Sequence, residues 1–195
     1  SYPEQVKRAV EALTSENTVH ILVNNTAGPP AAPALAAEAK DFTEAFQAHL
    51  ICNHLLVQGV VPGMKKEGFG RIVNIISTSV KVPIRGLGVS NTIRGAVANW
   101  SKTLSLELAP FGITVNNVLP GATSTQRLKA IINSKAEKSG RTFEEVQKEM
   151  IGEIPAGRIS EPSEVAAAVA FLASPAAGYI TGINVPVDGG RTGSL

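Results

Sequence analysis

Arg71-Ile72-Val73-Asn74-Ile75-Ile76-Ser77 and the downstream Gly88-Val89-Ser90-Asn91-Thr92-Ile93-Arg94 decide the fold of this chain. The first stretch is a short run rich in β-branched residues behind the turn-forming Gly68 and Gly70, the pattern of a strand buried on both faces. The second opens a helix. From Gly88 to Leu108 apolar residues recur at spacings of three and four, on Val89, Ile93, Val97, Trp100, Leu104 and Leu108, which makes one buried stripe. Ser90 and Arg94 lie four apart and share a face of that helix, so both can point into a cleft where Ser77 ends its strand.

Outward from this stretch, helices and strands alternate. Residues 3–15 predict an amphipathic helix and 19–23 a strand. Pro29, Pro30 and Pro33 then impose an extended loop, because proline fixes φ and lacks a donor. Residues 41–66 predict a long helix with Phe42, Ala45, Phe46, Leu50, Leu56, Val57 and Val60 inward and a bend at Pro62. A strand over 113–118, a polar helical insertion over 123–153, a helix over 163–173 and a last strand over 183–187 complete the order. Strands separated by helices predict an α/β fold with a doubly wound parallel sheet, in one domain spanning residues 1–195.

The composition suits such a domain: 195 residues, 44% hydrophobic and 17% charged, can bury a real core. No apolar run reaches the roughly 18 residues of a membrane helix, and Glu4, Lys7, Arg8 and Glu11 near the start do not form a signal peptide. A net charge of +2 is too small a bias for nucleic acid or an anionic membrane. The lone Cys52 excludes an internal disulfide and suits a reducing cytoplasm. His49, Cys52 and His54 are offset by three and five, which does not bring all three to one helix face, so no metal is expected. Gly88-Val89-Ser90-Asn91-Thr92 lacks the closing glycine of a nucleophile elbow.

Ser90 stands thirteen residues after Ser77 and Arg94 four after Ser90. This spacing resembles the short-chain dehydrogenase/reductase family, in which a strand-end Ser is followed at those distances by Tyr and Lys. The flanks match as well: Gly70-Arg71-Ile72-Val73-Asn74 before, Leu106-Glu107-Leu108-Ala109-Pro110-Phe111-Gly112-Ile113-Thr114-Val115-Asn116 after, then Leu119-Pro120-Gly121 and Val187-Asp188-Gly189-Gly190. The resemblance covers nearly the whole chain and implies a Rossmann-like fold, NAD(P) as cofactor and a small carbonyl or alcohol as substrate. It places Asn25, Thr26, Ala27, Pro120, Gly121 and Thr123 beside the cofactor, and Ser77, Ser90, Arg94 and His49 at the catalytic positions. It gives the 123–153 insertion to a substrate-covering lid, and it implies a homodimer or homotetramer built on the two long helices.

The departures are chemical. Ser90 occupies the place of the Tyr that donates a proton, and a serine hydroxyl is a far weaker acid than a phenol. Arg94, in place of Lys, keeps the positive charge but is effectively always protonated. His49 occupies the place of a proton-relaying Asn; an imidazole can relay protons, and a hydrogen-bonded helix histidine is the simpler reading. Lys81 is a further candidate acid whose default is solvation. The only tyrosines, Tyr2 and Tyr179, lie in segments that the resemblance places away from the reacting carbon.

The family's opening strand, glycine-rich turn and helix have no counterpart here; Val19 to Val23 matches its fourth strand, and Asn24-Asn25-Thr26-Ala27 an altered Asn-Asn-Ala-Gly. The first three strands are therefore expected to belong to a longer protein, with natural truncation as the alternative, and residues 19–23 to form a bare sheet edge. Two functions follow: NAD(P)-dependent, 3-oxoacyl-reductase-like redox by the complete protein, this chain alone being inactive, or an inert binding or assembly subunit on the same scaffold.

Overall fold

The structure, a computed structural model, describes residues 3–194. Tyr2 lies outside them. Helix α1 (Pro3–Thr14) precedes β1 (Ile21–Asn25); α2 (Ala39–Phe46) passes through a π-helical turn (Gln47–Ile51) into α3 (Cys52–Glu67); then follow β2 (Gly70–Ile75), α4 (Gly88–Leu108), β3 (Ile113–Pro120), α5 (Gln126–Ser139), α6 (Phe143–Gly152), α7 (Pro162–Ala173) and β4 (Asn184–Val187). The four strands form one parallel sheet in the order β1-β2-β3-β4. Helices cover both faces, the Rossmann-like arrangement that the helix–strand alternation predicts.

Burial follows the pleat. Ile72 and its register partner Val115 face one side, where Val10, Val57, Val60, Met64 and Leu108 of α1, α3 and α4 close over them. Val73 and Val118 face the other side, beneath Val165, Val169 and Leu172 of α7. The turn between α4 and β3 depends on Gly112, whose φ is 71° and where a Cβ would meet the Gly68 carbonyl oxygen at 2.2 Å.

One polar row crosses this core. Asn24, Asn74, Asn117 and Asn184 are register partners on successive strands. Asn24 donates to Asn74 (2.8 Å), Asn74 to Asn117 (3.0 Å) and Asn117 to Asn184 (2.8 Å), while Asn74 also donates to the Ser101 hydroxyl of α4 (3.1 Å). Buried amides are stable inside only when paired, and here each satisfies the next. At the β1 end the row stops: Asn24 Oδ1 is buried without a partner among the described residues.

Several boundaries move from the sequence reading for tertiary reasons. The first strand spans Ile21–Asn25 rather than residues 19–23, because Asn24 is drawn into the sheet by Asn74. The third runs on to Pro120, paired with β4. The second ends at Ile75, and Ser77 instead caps a short 3-10 turn. The 41–66 helix is interrupted by the π turn. β1 is an edge strand, with Ile21 and Val23 47% and 44% exposed. Among the described residues no helix is long and apolar enough to cross a membrane.

Candidate functional site

Parallel sheets take ligands beyond the carboxyl ends of their strands, and Arg94, His49 and Thr26 come together there. Ser77 has extended backbone after β2, and its Oγ accepts from the Ser79 N–H at 3.1 Å, which leaves its own O–H free to donate. Arg94 reaches across from α4: Nη1 donates to the Ile75 carbonyl at 2.8 Å and Nη2 to the Thr26 carbonyl at 3.3 Å. It is 8% exposed, and burial together with the charge of Arg127 lowers its pKa to about 10, so it stays a cation at neutral pH. Ser90 lies one turn before it, also buried.

His49 enters from the π turn, a local insertion of the kind that re-aims side chains at sites. Its Nδ1 and the Thr26 Oγ1 are hydrogen-bonded, and the ring is 2% exposed. Burial first, then the charges of Arg94 and Arg127, push its pKa down to about 4. The imidazole is therefore neutral at pH 7 and a poor proton donor.

Sequence reasoning missed Arg127. It sits in the first turn of α5, behind the N-cap Thr125, and donates to the Gly28 carbonyl (Nη1, 3.0 Å) and the Pro29 carbonyl (Nη2, 3.0 Å). A Cβ on Gly28 would lie 2.6 Å from Nη2, so only glycine admits the guanidinium there. A signal was present: a cation in the first turn opposes the helix dipole, so its partner belongs outside the helix.

The cofactor-side positions divide. Thr26 belongs to the Arg94 and His49 cluster, and Asn25 and Ala27 flank it, exposed. Pro120 ends β3 at the same carboxyl edge of the sheet; the Gly121 N–H donates to the Val187 carbonyl (2.9 Å), and Thr123 pairs with the segment at Ser160, whose hydroxyl donates to Thr123 Oγ1 at 3.1 Å. Tyr179 is fully exposed on the loop before β4.

Comparison with known proteins gives this arrangement its class. A family model described as enoyl-(acyl carrier protein) reductase matches residues 1–192. The 3-oxoacyl-[acyl-carrier-protein] reductase FabG of Vibrio cholerae is 32% identical over 189 residues, 96% of this chain and 73% of that protein. The NADPH-dependent reductase BacG of Bacillus subtilis is 31% identical over 90% of this chain and 68% of its own length. Among solved structures, the L-sorbose reductase of Gluconobacter frateurii, complexed with NADPH and L-sorbose, superimposes with a TM-score of 0.91 at 28% identity, over 100% of this chain and 74% of that one. The chain belongs to the short-chain dehydrogenase/reductase family of oxidoreductases.

The family's nicotinamide cofactor fits these residues in part. The Thr26 loop, with Asn25 exposed at the end of β1, offers a surface for the nicotinamide end. The sequence has no glycine-rich turn leading into a helix, so the described residues give the diphosphate no cradle.

Proposed function

We propose that the complete protein catalyses NAD(P)-dependent redox of a small carbonyl or alcohol, in the manner of a 3-oxoacyl reductase, and that it works as a homodimer or homotetramer. The observation that carries this reading is Arg94, a buried cation clamped to carbonyls at the ends of β1 and β2, its Ile75 partner two residues before Ser77. A bound nicotinamide would supply or accept the hydride. Ser77, its oxygen already occupied by the Ser79 N–H, is oriented to donate to a substrate oxygen. Arg94 would stabilise negative charge growing on that oxygen, an effect strengthened by its exclusion from water. With no phenol in the cleft among the described residues, the proton completing a reduction would come from solvent, with Ser90 hydrogen-bonded to the developing alkoxide.

A second reading, an inert binding or assembly subunit, is favoured by one feature: His49 is held neutral and no group of the cluster is a ready acid at pH 7. Calorimetric titration of the complete protein with NADH and NADPH separates the two. Binding of neither removes the enzyme reading. Where a cofactor binds, Ser90→Tyr with Arg94→Lys should raise turnover of generic ketones at least tenfold; an unchanged rate would show that more than the proton donor has diverged. Light scattering at micromolar concentration tests the assembly, and a folded monomer would contradict it.

A further inference from the structure

Resting on the proposed oxidoreductase and narrowing its substrate, we infer that the cleft takes an oxo acid or the corresponding hydroxy acid, whose carboxylate is held between Arg94 and Arg127, with Arg127 as the specificity-determining residue. Both guanidinium groups lie against one loop. Arg94 takes the carbonyl of Thr26, and Arg127 takes those of Gly28 and Pro29. Their anchor points are three residues apart at most, a span of about 10 Å even in extended chain.

Neither cation has a carboxylate partner. The ion pairs among the described residues join Lys40 to Glu38, Lys135 and Arg141 to Glu149, Arg158 to Glu164 and Arg191 to Glu153, and none involves Arg94 or Arg127. Carbonyl dipoles solvate a guanidinium but do not cancel its charge; Arg94 is buried, where an unpaired charge is costly, while Arg127 is exposed and open to an incoming ligand. Arg94 commits one N–H donor to the loop and one to Ile75 of β2, and Arg127 commits two to the loop, so each keeps three of its five for a ligand such as a carboxylate. The field of the pair is felt locally: Arg127 pushes both Arg94 and His49 toward their uncharged forms. An anion placed between the two would relieve that repulsion.

Two anions have this chemistry, a substrate carboxylate and a cofactor diphosphate. The pyrophosphate arm of the test below separates the two. Arg127 comes from α5 of the polar insertion, a different element from the α4 that carries Arg94.

The test is direct binding, read without turnover. The purified protein is titrated by calorimetry and ligand-observed NMR with pyruvate, acetoacetate and levulinate, whose carboxylates sit progressively further from the ketone. Each is compared with its methyl ester, and inorganic pyrophosphate is run as the phosphate probe. At least one oxo acid is expected to bind about tenfold more tightly than its ester. Arg127→Gln should abolish that preference and Arg127→Lys should restore part of it, while circular dichroism stays unchanged because the residue is exposed. Equal binding of acid and ester, no binding of any acid, or indifference to Arg127→Gln overturns the inference. So does an Arg127-dependent preference for pyrophosphate over every oxo acid. If ketones are reduced with no preference for acids, the oxidoreductase stands and the inference falls. If acids bind but no cofactor does, the anion site stands and the oxidoreductase reading falls.

Discussion

The α5–α6 insertion and the cleft below it handle charge in opposite ways. In the insertion Glu149 of α6 receives Lys135 of α5 at 2.7 Å and also Arg141, over a small core of Ile132, Ala136 and Val146. Further along, Arg158 and Glu164 pair through two hydrogen bonds of 2.6 and 2.7 Å. These charges are solvated and mutually neutralised, and such surface pairs contribute little each. In the cleft, Arg94 is withdrawn from water, answered only by carbonyl oxygens, and set near a second cation. Charges that hold structure have their counterions in the chain; charges left without one are available to a ligand.

The difference can be broken most forcefully at Arg94. Arg94→Met should lower the affinity for an oxo-acid probe by about a hundredfold, measured by calorimetry, because it removes a charge-assisted contact and loosens the Thr26 loop. The same change should raise the pKa of His49 from about 4 without restoring 6.5, since burial, the larger cause, remains. Imidazole proton shifts followed through an NMR titration would read this. A pKa that does not move would mean Arg94 exerts no field on the ring.

Acid should separate the two regions next. His49 has a folded pKa of about 4 against 6.5 unfolded, so the unfolded chain takes up the proton first. The stability held by keeping the ring neutral is full above pH 6.5 and falls as pH drops toward 4, by an amount on the order of 3 kcal/mol. Glu149 has the same sign in a lower window: its pKa, lowered to about 2 from 4.5 by hydrogen bonds from Lys135 and Arg141, contributes stability above pH 4.5 that is lost as pH falls through 2. Urea denaturation at successive pH values should show the first window, and His49→Gln should flatten it. The smallest effect belongs to Glu149→Gln, expected to leave the urea midpoint at neutral pH nearly unchanged and probe binding intact, since solvated surface pairs contribute little. A larger loss would mean that the insertion is built on its ion pairs.

Much of this was legible along the chain. The alternation of helices and strands and the spacing of Ser77, Ser90 and Arg94 placed the family, and α4 falls on residues 88–108 as its apolar period requires. Boundaries were less legible where polar residues enter the sheet. Asn24 and Asn25 look like loop residues until Asn74 is seen opposite, because an asparagine is acceptable in a core only beside another amide. The partner of Arg127 was hidden for a related reason. That arginine lies among alternating charges that look like solvated surface, and nothing local says that it reaches Gly28, ninety-nine residues away.

Order of elements, parallel pairing and the exchange of Tyr and Lys for Ser90 and Arg94 were determined by the sequence alone, because periodicity and residue identity are local properties. The asparagine row, the neutral state of His49 and the unbalanced cations over the Thr26–Pro29 loop were decided only by tertiary structure. Each of these depends on distance and burial between segments far apart in the chain, and an electrostatic environment exists only once the chain has closed around it.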